Sequence, residues 1–267
     1  MHIDRQQLQT LVREETLSTL PPLLSRIERQ YKHDGSIVTL ADNAMQTAIG
    51  QRLAALFPAI PLLGEEMPRT QQQALLDSKQ MFWCLDPIDG SNNLTMGLPF
   101  YSVSLALIDN QQACFGLVFD PCRDEMFAAS RGQGAWLNDQ PLTVQAANVS
   151  LPQTIALLDY KRLPITFASQ LLQDKPYGSQ RNLGSIALEL CWLAAGRAHL
   201  YLHGNQRLWD YAAGDLILSE AGAYSSTLDG SKLHADSLDE HTAFAAIDQS
   251  LFEQWGAYLR TLSYDHP

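Results

Sequence analysis

The segment Trp83-Cys84-Leu85-Asp86-Pro87-Ile88-Asp89-Gly90-Ser91-Asn92-Asn93 constrains this chain more than any other. Met81 to Leu85 is an apolar run of the length and composition of a buried strand. At its end two aspartates stand three residues apart around a proline, and a Gly-Ser step then opens a polar stretch suited to a helix start. Carboxylates on a turn at a strand end can ligate hard divalent cations through oxygen. Backbone N–H groups at the start of the following helix attract an anion such as phosphate. Metal and phosphate on one loop point to metal-assisted phosphoryl transfer.

A strand of this kind needs a large core around it. The 267 residues, 46% of them hydrophobic, supply one, either as a single domain or as two closely packed halves. With 18% charged residues the composition is not that of a disordered chain. The net charge of −11 and the absence of any Lys/Arg run argue against a nucleic-acid partner. An acidic protein acting on an anionic substrate needs cations to mediate the contact. Cys84, Cys114, Cys122 and Cys191 show no CxxC spacing, and all but Cys122 sit in apolar runs, the pattern of reduced core cysteines in a cytoplasmic protein. Met1 to Gln6 is polar and lacks the apolar core of a signal peptide, and no 18-residue apolar run offers a membrane span.

Along the chain, apolar spacing predicts a helix over 4–31, broken at Pro21-Pro22, then a turn over 32–36 containing Asp34-Gly35. A second helix is expected over 40–57, with the capping-box pattern Thr39-Leu40-Ala41-Asp42 at its start. A short strand over 60–63 ends at Gly64-Glu65-Glu66. Strands follow at 82–85, 101–108, 113–119 and 126–129, then a short hairpin over 132–139. A composition shift near residue 150 divides a single domain into halves of about 1–150 and 151–267. The second half reads as strand 155–159, helix 166–173, helix 185–195, strand 199–202, helix 210–221 stopped by Gly222, and helix 249–262.

Four acids stand out: Glu65, Asp86 and Asp89 at strand ends, and Asp210 at a helix start. Carboxylates gathered at one point repel each other strongly, and a divalent cation is the natural compensation. All-oxygen ligation favours Mg²⁺, Ca²⁺ or Mn²⁺ over zinc. Each acid alone has a plainer role: Glu65 and Glu66 in a solvated loop, Asp86 before Pro87 in a turn, Asp210 and Asp42 as helix caps. Their joint occurrence weakens those roles. The Asp86–Asp89 spacing does not fit an EF-hand loop, and neither GxxxxGK[ST] nor GxSxG is present.

Gly64-Glu65-Glu66, the run from Asp86 to Leu94, Trp209-Asp210-Tyr211-Ala212-Ala213-Gly214 and Glu220-Ala221-Gly222 closely resemble the motifs of the inositol monophosphatase family. These are Mg²⁺-dependent, lithium-sensitive phosphomonoesterases. The Lys32 to Asp42 segment is similar to the family's N-terminal motif and Gly132 to Asn138 to its glycine-rich hairpin, so the resemblance covers nearly the whole chain in order. It implies an α/β (α+β) layered sandwich of the sugar-phosphatase type, with alternating layers of helices and two sheets, the first antiparallel-rich and the second mixed. It also implies a homodimer and two or three Mg²⁺ ions, with Mn²⁺ as a possible substitute.

Carried over by position, the resemblance implies that Glu65, Asp86 and the Ile88 carbonyl ligate one Mg²⁺, and that Asp86, Asp89 and Asp210 ligate a second. Asp42 and Ser91 would orient and deprotonate the attacking water, the N–H groups of Gly90 and Ser91 would hold phosphate oxygens, and Asp89 would stand near the water that protonates the leaving group. Ser91 replaces the family's usual threonine and keeps the hydroxyl; Leu94 replaces a phenylalanine. Where relatives acting on inositol phosphates carry a glutamate before the tryptophan, this chain has His203, with Arg207 nearby. His203 and Arg207 are therefore candidate substrate contacts, and Arg181 is a third, because Arg181-Asn182-Leu183-Gly184-Ser185 is similar to the family's substrate-side helix start. The expected substrate is inositol 1-phosphate or a related polyol or sugar phosphate. A 3′(2′),5′-bisphosphate nucleotidase, a fructose-1,6-bisphosphatase and a histidinol phosphatase are rivals within the family, and a non-catalytic regulatory protein is the rival outside it.

Overall fold

In the computed structural model the apolar run around Trp83 is the second strand of a seven-stranded sheet. The structure describes residues 3–24, 30–31 and 37–262, with the backbone alone at 30–31 and 37–38. The elements before that sheet are α1 (Arg5–Thr19), α2 (Pro21–Leu24), β1 (Gln30–Tyr31), β2 (Ile37–Val38) and α3 (Leu40–Leu56). The sheet follows as β3 (Leu62–Gly64), α4 (Arg69–Ser78), β4 (Phe82–Asp89), α5 (Ser91–Met96), β5 (Ser102–Asp109), β6 (Gln112–Asp120), β7 (Glu125–Ser130), β8 (Gly134–Leu137) and β9 (Gln140–Leu142). Then come β10 (Ile155–Asp159), α6 (Ile165–Asp174), β11 (Ser179–Arg181), α7 (Ile186–Ala194), β12 (Leu200–Gln206), α8 (Leu208–Glu220), β13 (Tyr224–Thr227), β14 (His241–Ala246) and α9 (Gln249–Leu259).

The strands of the first sheet lie in chain order from β3 to β9, parallel only between β3 and β4. Tight turns make this possible. Asn110 and Gln111, both at positive φ (49° and 63°), join β5 to β6 as a type I′ turn would, and Asn138-Asp139 do the same for β8 and β9. The second sheet has the order β11-β10-β12-β14-β13, parallel around β10 and antiparallel around β14.

Period-2 alternation along β4 divides its side chains between two cores. Trp83 and Leu85 face α1 and α3, packing with Leu8, Leu11, Met45 and Ile49. Phe82 and Cys84 face the other way, into a cluster with Leu190, Cys191, Ala213 and Ile217 of α7 and α8. That cluster continues through Leu157, Leu202 and Phe244 of the second sheet to Leu251 and Trp255 of α9. Helices and sheets thus alternate in five layers, the architecture the resemblance implied. Each buried leucine contributes roughly 2 kcal/mol by leaving water.

Several elements escaped sequence patterning. In α4 only Gln72 and Leu76 are buried, so it has no apolar stripe to read. β11 and β13 are short polar edge strands, and β14 is a run dominated by alanine. β4 runs on through Pro87 to Asp89, where the sequence suggested a strand ending at Leu85. The end of the first expected helix (25–29) and the turn over 32–36 lie outside the described residues. All four cysteines are free, with Cys84 and Cys191 buried and Cys122 exposed. Among the described residues no helix is long and apolar enough to cross a membrane.

Candidate active site

A β-bulge builds the centre of the site. Asp86 pairs with Ser104 and Asp89 with Ser102, so three steps on β4 match two on β5. In a regular strand, residues three apart face opposite sides. The extra residue restores the phase, and Asp86 and Asp89 both turn toward the α7–α8 layer. Proline is tolerated in this interior strand because it sits in the bulge, where no ladder donor is required. The Ile88 N–H is taken up locally, donating to Asp86 Oδ1 at 3.0 Å.

The chain then turns through Gly90, whose φ of 97° suits glycine alone. A Cβ there would also press on the carbonyls of Phe100 (3.1 Å) and Gly184 (3.2 Å). The turn opens α5, and the Ser91 hydroxyl lies 2.6 Å from Asp42 Oδ1 and 2.9 Å from the Ile88 carbonyl. Asp42 Oδ2 accepts from both the Thr39 N–H and the Thr39 hydroxyl at 2.7 Å. Asp42 therefore caps α3 with one oxygen and meets Ser91 with the other, so capping leaves its second oxygen turned toward Ser91.

Asp89 is anchored from the opposite layer. Its Oδ2 accepts from the Ser185 hydroxyl at 2.7 Å and from the Ala187 N–H at 2.6 Å, at the start of α7. Asp210 lies in the first turn of α8, where its Oδ2 accepts from the Arg207 N–H at 2.9 Å. Ser104 Oγ donates to the Trp209 carbonyl at 3.1 Å, tying that turn to β5 beside Asp86. Glu65 follows β3 and its N–H donates to the Leu85 carbonyl, extending the β3–β4 pairing to the edge of the site.

Glu65, Asp86, Asp89, Asp210, Ile88, Gly90 and Ser91 line one cavity of about 380 Å³. Burial, reinforced by the charges of Glu65, Asp89, Asp210 and Asp42, raises Asp86 well above the usual carboxylate range. Burial lifts Asp89 to about 6 even though Ser185 and Ala187 pull it down. Asp210 is pushed up to about 8 by burial, with Asp89 and Glu65 adding to it. Like charges in a low dielectric hold protons to relieve their repulsion, and a hard divalent cation would relieve it equally well. The all-oxygen donor set fits Mg²⁺ or Mn²⁺. Among the described residues no three His, Cys, Asp or Glu side chains stand close enough together to form a metal-ligand group as placed.

The opposite wall comes from the second sheet. Asp159 ends β10 and lies in register with His203 of β12. His203 Nδ1 donates to the Gly204 carbonyl at 2.7 Å, and Nε2 stands 3.3 Å from Asp159 Oδ2. Both ring nitrogens of His203 thus face protein oxygens. His203 lines the cavity as the sequence suggested, but it spends its polar atoms on its neighbours. Burial lowers the pKa of His203 although Asp159 acts against it.

Arg207 and Arg181, the other two candidate substrate contacts, do not line the cavity. Arg207 reaches away to Glu240 (3.2 Å) and lies over the Trp209 ring. Arg181 folds back on its own edge strand, donating to Ser179 Oγ and the Gln180 carbonyl at 2.7 Å. In their place the cavity is lined by Lys161 and Arg162, which sequence reading passed over, and by Asn182, the neighbour of the arginine it chose. It also missed two supports. Asn93 Nδ2 holds the carbonyls of Phe100 and Leu183 at 2.7 Å. Buried Glu189 accepts from the N–H groups of Leu183 (2.7 Å) and Gly184 (3.1 Å), fixing the loop that faces Asp89.

Comparison with known proteins extends beyond the motifs. Residues 5–261 match the profile of the Inositol monophosphatase family. The chain is 34% identical over 212 residues to the Nus factor SuhB of Pasteurella multocida, covering 76% of each. It is 30% identical over 227 residues to an inositol-1-monophosphatase of Mesorhizobium japonicum, covering 83% of this chain and 82% of the relative. Among solved structures, an IMPase of Thermotoga maritima superposes with a TM-score of 0.82 at 25% identity, over 97% of this chain and 98% of its own. An IMPase/NADP phosphatase complexed with Mg²⁺ and phosphate shares the fold, with a TM-score of 0.84 at 24% identity over 98% of each chain. Similarity that runs through the whole layered core, and not only through the acidic motifs, places this chain in the inositol monophosphatase family.

Proposed function

We propose that this cavity hydrolyses a small phosphate monoester with Mg²⁺, inositol 1-phosphate or a related polyol, sugar or nucleotide phosphate. The observation that carries the reading is the convergence of Glu65, Asp86, Asp89 and Asp210 on one cavity with the Ser91–Asp42 pair at its edge. Glu65, Asp86 and the Ile88 carbonyl would hold one ion, and Asp86, Asp89 and Asp210 a second. When bound, the cation supplies charge neutralisation and Lewis acidity at the phosphoryl oxygens.

The remaining work falls to the chain's own groups, and phosphoryl transfer asks mainly for positioning and electrostatics. Thr39 occupies Asp42 Oδ2, which leaves Oδ1 as the acceptor facing the Ser91 hydroxyl. A water donating to that hydroxyl oxygen can be oriented and relieved of a proton toward Asp42 Oδ1. Ser185 and Ala187 hold Asp89 Oδ2, so its second oxygen is aimed by the anchoring of the first. The amides of Gly90 and Ser91 open α5 at the cavity wall, where they can donate to phosphate oxygens. A cavity of about 380 Å³ suits a ligand of sugar or nucleotide size.

A phosphate-release screen over inositol, sugar, nucleotide and histidinol phosphates, with and without Mg²⁺ and Li⁺, tests the reading. Mg²⁺-dependent release that Li⁺ inhibits is expected, and Asp86→Asn should lower kcat on the order of 10³-fold. Full turnover in that variant would sink the metal assignment.

A further inference from the structure

We propose that Lys161 and Arg162 form a second anion subsite in this cavity, so that the preferred substrate carries a second phosphate beyond the one that is cleaved. The inference rests on the phosphatase reading above and names the class of ester that the site selects. In a chain of net charge −11, the cavity sets a wall of four carboxylates against a wall bearing two permanent cations.

The local carboxylate does not use up those cations. Asp159 Oδ1 is occupied by the Lys161 N–H at 3.1 Å, and Oδ2 has His203 Nε2 at 3.3 Å. Lys161 Nζ and Arg162 Nε each come no nearer to Oδ2 than 3.9 Å, beyond hydrogen-bond distance. Their side chains are 67% and 38% exposed. One carboxylate thus answers two cations and an imidazole, and the turn carries surplus positive charge. A neutral polyol would be served by open acceptors on this wall, whereas Asp159 already accepts the Lys161 N–H and is flanked by Lys161, Arg162 and His203. A phosphate dianion is matched by what the wall has to spare.

The turn is also built in place. Asp159 caps the single turn Tyr160–Arg162 through its side chain, while its backbone is paired in register with His203. Gly204, next along β12, lets the turn pack flat, because a Cβ there would collide with the Arg162 carbonyl. The backbone beneath the two cations is held by the sheet; Arg162 spends one Nη1 donor on a long, 3.4 Å bond to the Asn205 carbonyl, and its remaining donors and Lys161 Nζ are left to meet a ligand.

The test compares adenosine 2′,5′-bisphosphate with adenosine 2′-monophosphate in the parent protein, in K161A/R162A and in the charge-preserving K161R/R162K, by phosphate release with Mg²⁺. The parent should favour the bisphosphate at least tenfold in kcat/KM, chiefly through KM, with the ratio falling as salt rises. The ratio should drop to near one in K161A/R162A and return in K161R/R162K. No preference in the parent, or a ratio that K161A/R162A leaves intact, overturns the subsite. If neither ester is cleaved, the phosphatase reading fails for these esters, and calorimetry still reads the subsite. Bisphosphate binding tenfold tighter than monophosphate binding in the parent and equal in K161A/R162A supports it; equal binding in both proteins overturns it.

Discussion

The two walls of the cavity are made differently. The acidic wall grows from the first sheet and the start of α8, and its two central carboxylates are buried, with Asp86, Asp89 and Asp210 each tied down by a hydrogen bond. Asp86 and Asp89 are 2% and 7% exposed, and Asp89 is held by a hydroxyl and an amide from another layer. The basic wall grows from the second sheet, and there the backbone is fixed while the cationic ends are loosely engaged, both at 3.9 Å from Asp159 and Arg162 also at 3.4 Å from the Asn205 carbonyl. Groups that must hold reacting atoms in line profit from rigidity, since small misplacements are costly in rate. Groups that only attract a distal charge need proximity and can keep their side-chain entropy until a ligand arrives.

That contrast makes three further predictions. The largest concerns Ser91, which joins the acidic wall to Asp42. Ser91→Ala should lower kcat on the order of 10²-fold with little change in KM, while Ser91→Thr keeps the hydroxyl and most of the rate. Equal losses in the two variants would mean that the side chain acts through packing. Next is Ser185, the cross-layer support of Asp89. Ser185→Ala should weaken Mg²⁺ activation roughly tenfold or more, read from the Mg²⁺ dependence of turnover. An unchanged Mg²⁺ curve would show that the Ala187 amide alone suffices.

The smallest effect is on stability and belongs to Glu189, which holds the loop beside the acidic wall. Burial pushes its carboxyl up to about 8, against an ordinary value near 4.3 in the unfolded chain. Between those values the folded protein keeps a proton that the unfolded chain has released, so stability falls as pH rises through the window. Glu189→Gln keeps the acceptor for Leu183 and removes the charge. It should melt a few degrees higher than the parent at pH 9, and the gain should vanish near pH 4. Parallel melting curves at every pH would refute this.

Much of the acidic wall was legible in the sequence because its parts are local. Asp86 to Ser91 encodes a strand end, a bulge proline, a positive-φ glycine and a helix start within six residues, and Asp42 carries a capping box. Nothing local reports on the basic wall. Lys161 and Arg162 follow a strand in a segment without periodicity, and they reach the cavity only because Asp159 pairs with His203, 44 residues on. Arg207 and Arg181 lie outside the cavity lining, Arg181 because it bonds to its own edge strand and Arg207 because of a contact distant in sequence. A long side chain turns toward its strongest partner, and Glu240, which draws Arg207 away, lies 33 residues along the chain.

By itself, then, the sequence determined the family, the order of the strongly patterned strands and helices and the acids that line the cavity, because those depend on short-range pattern and spacing. Only the tertiary structure decided which charges share the cavity. Orientation and pairing across sheets are set by contacts between distant segments, and no local pattern records them.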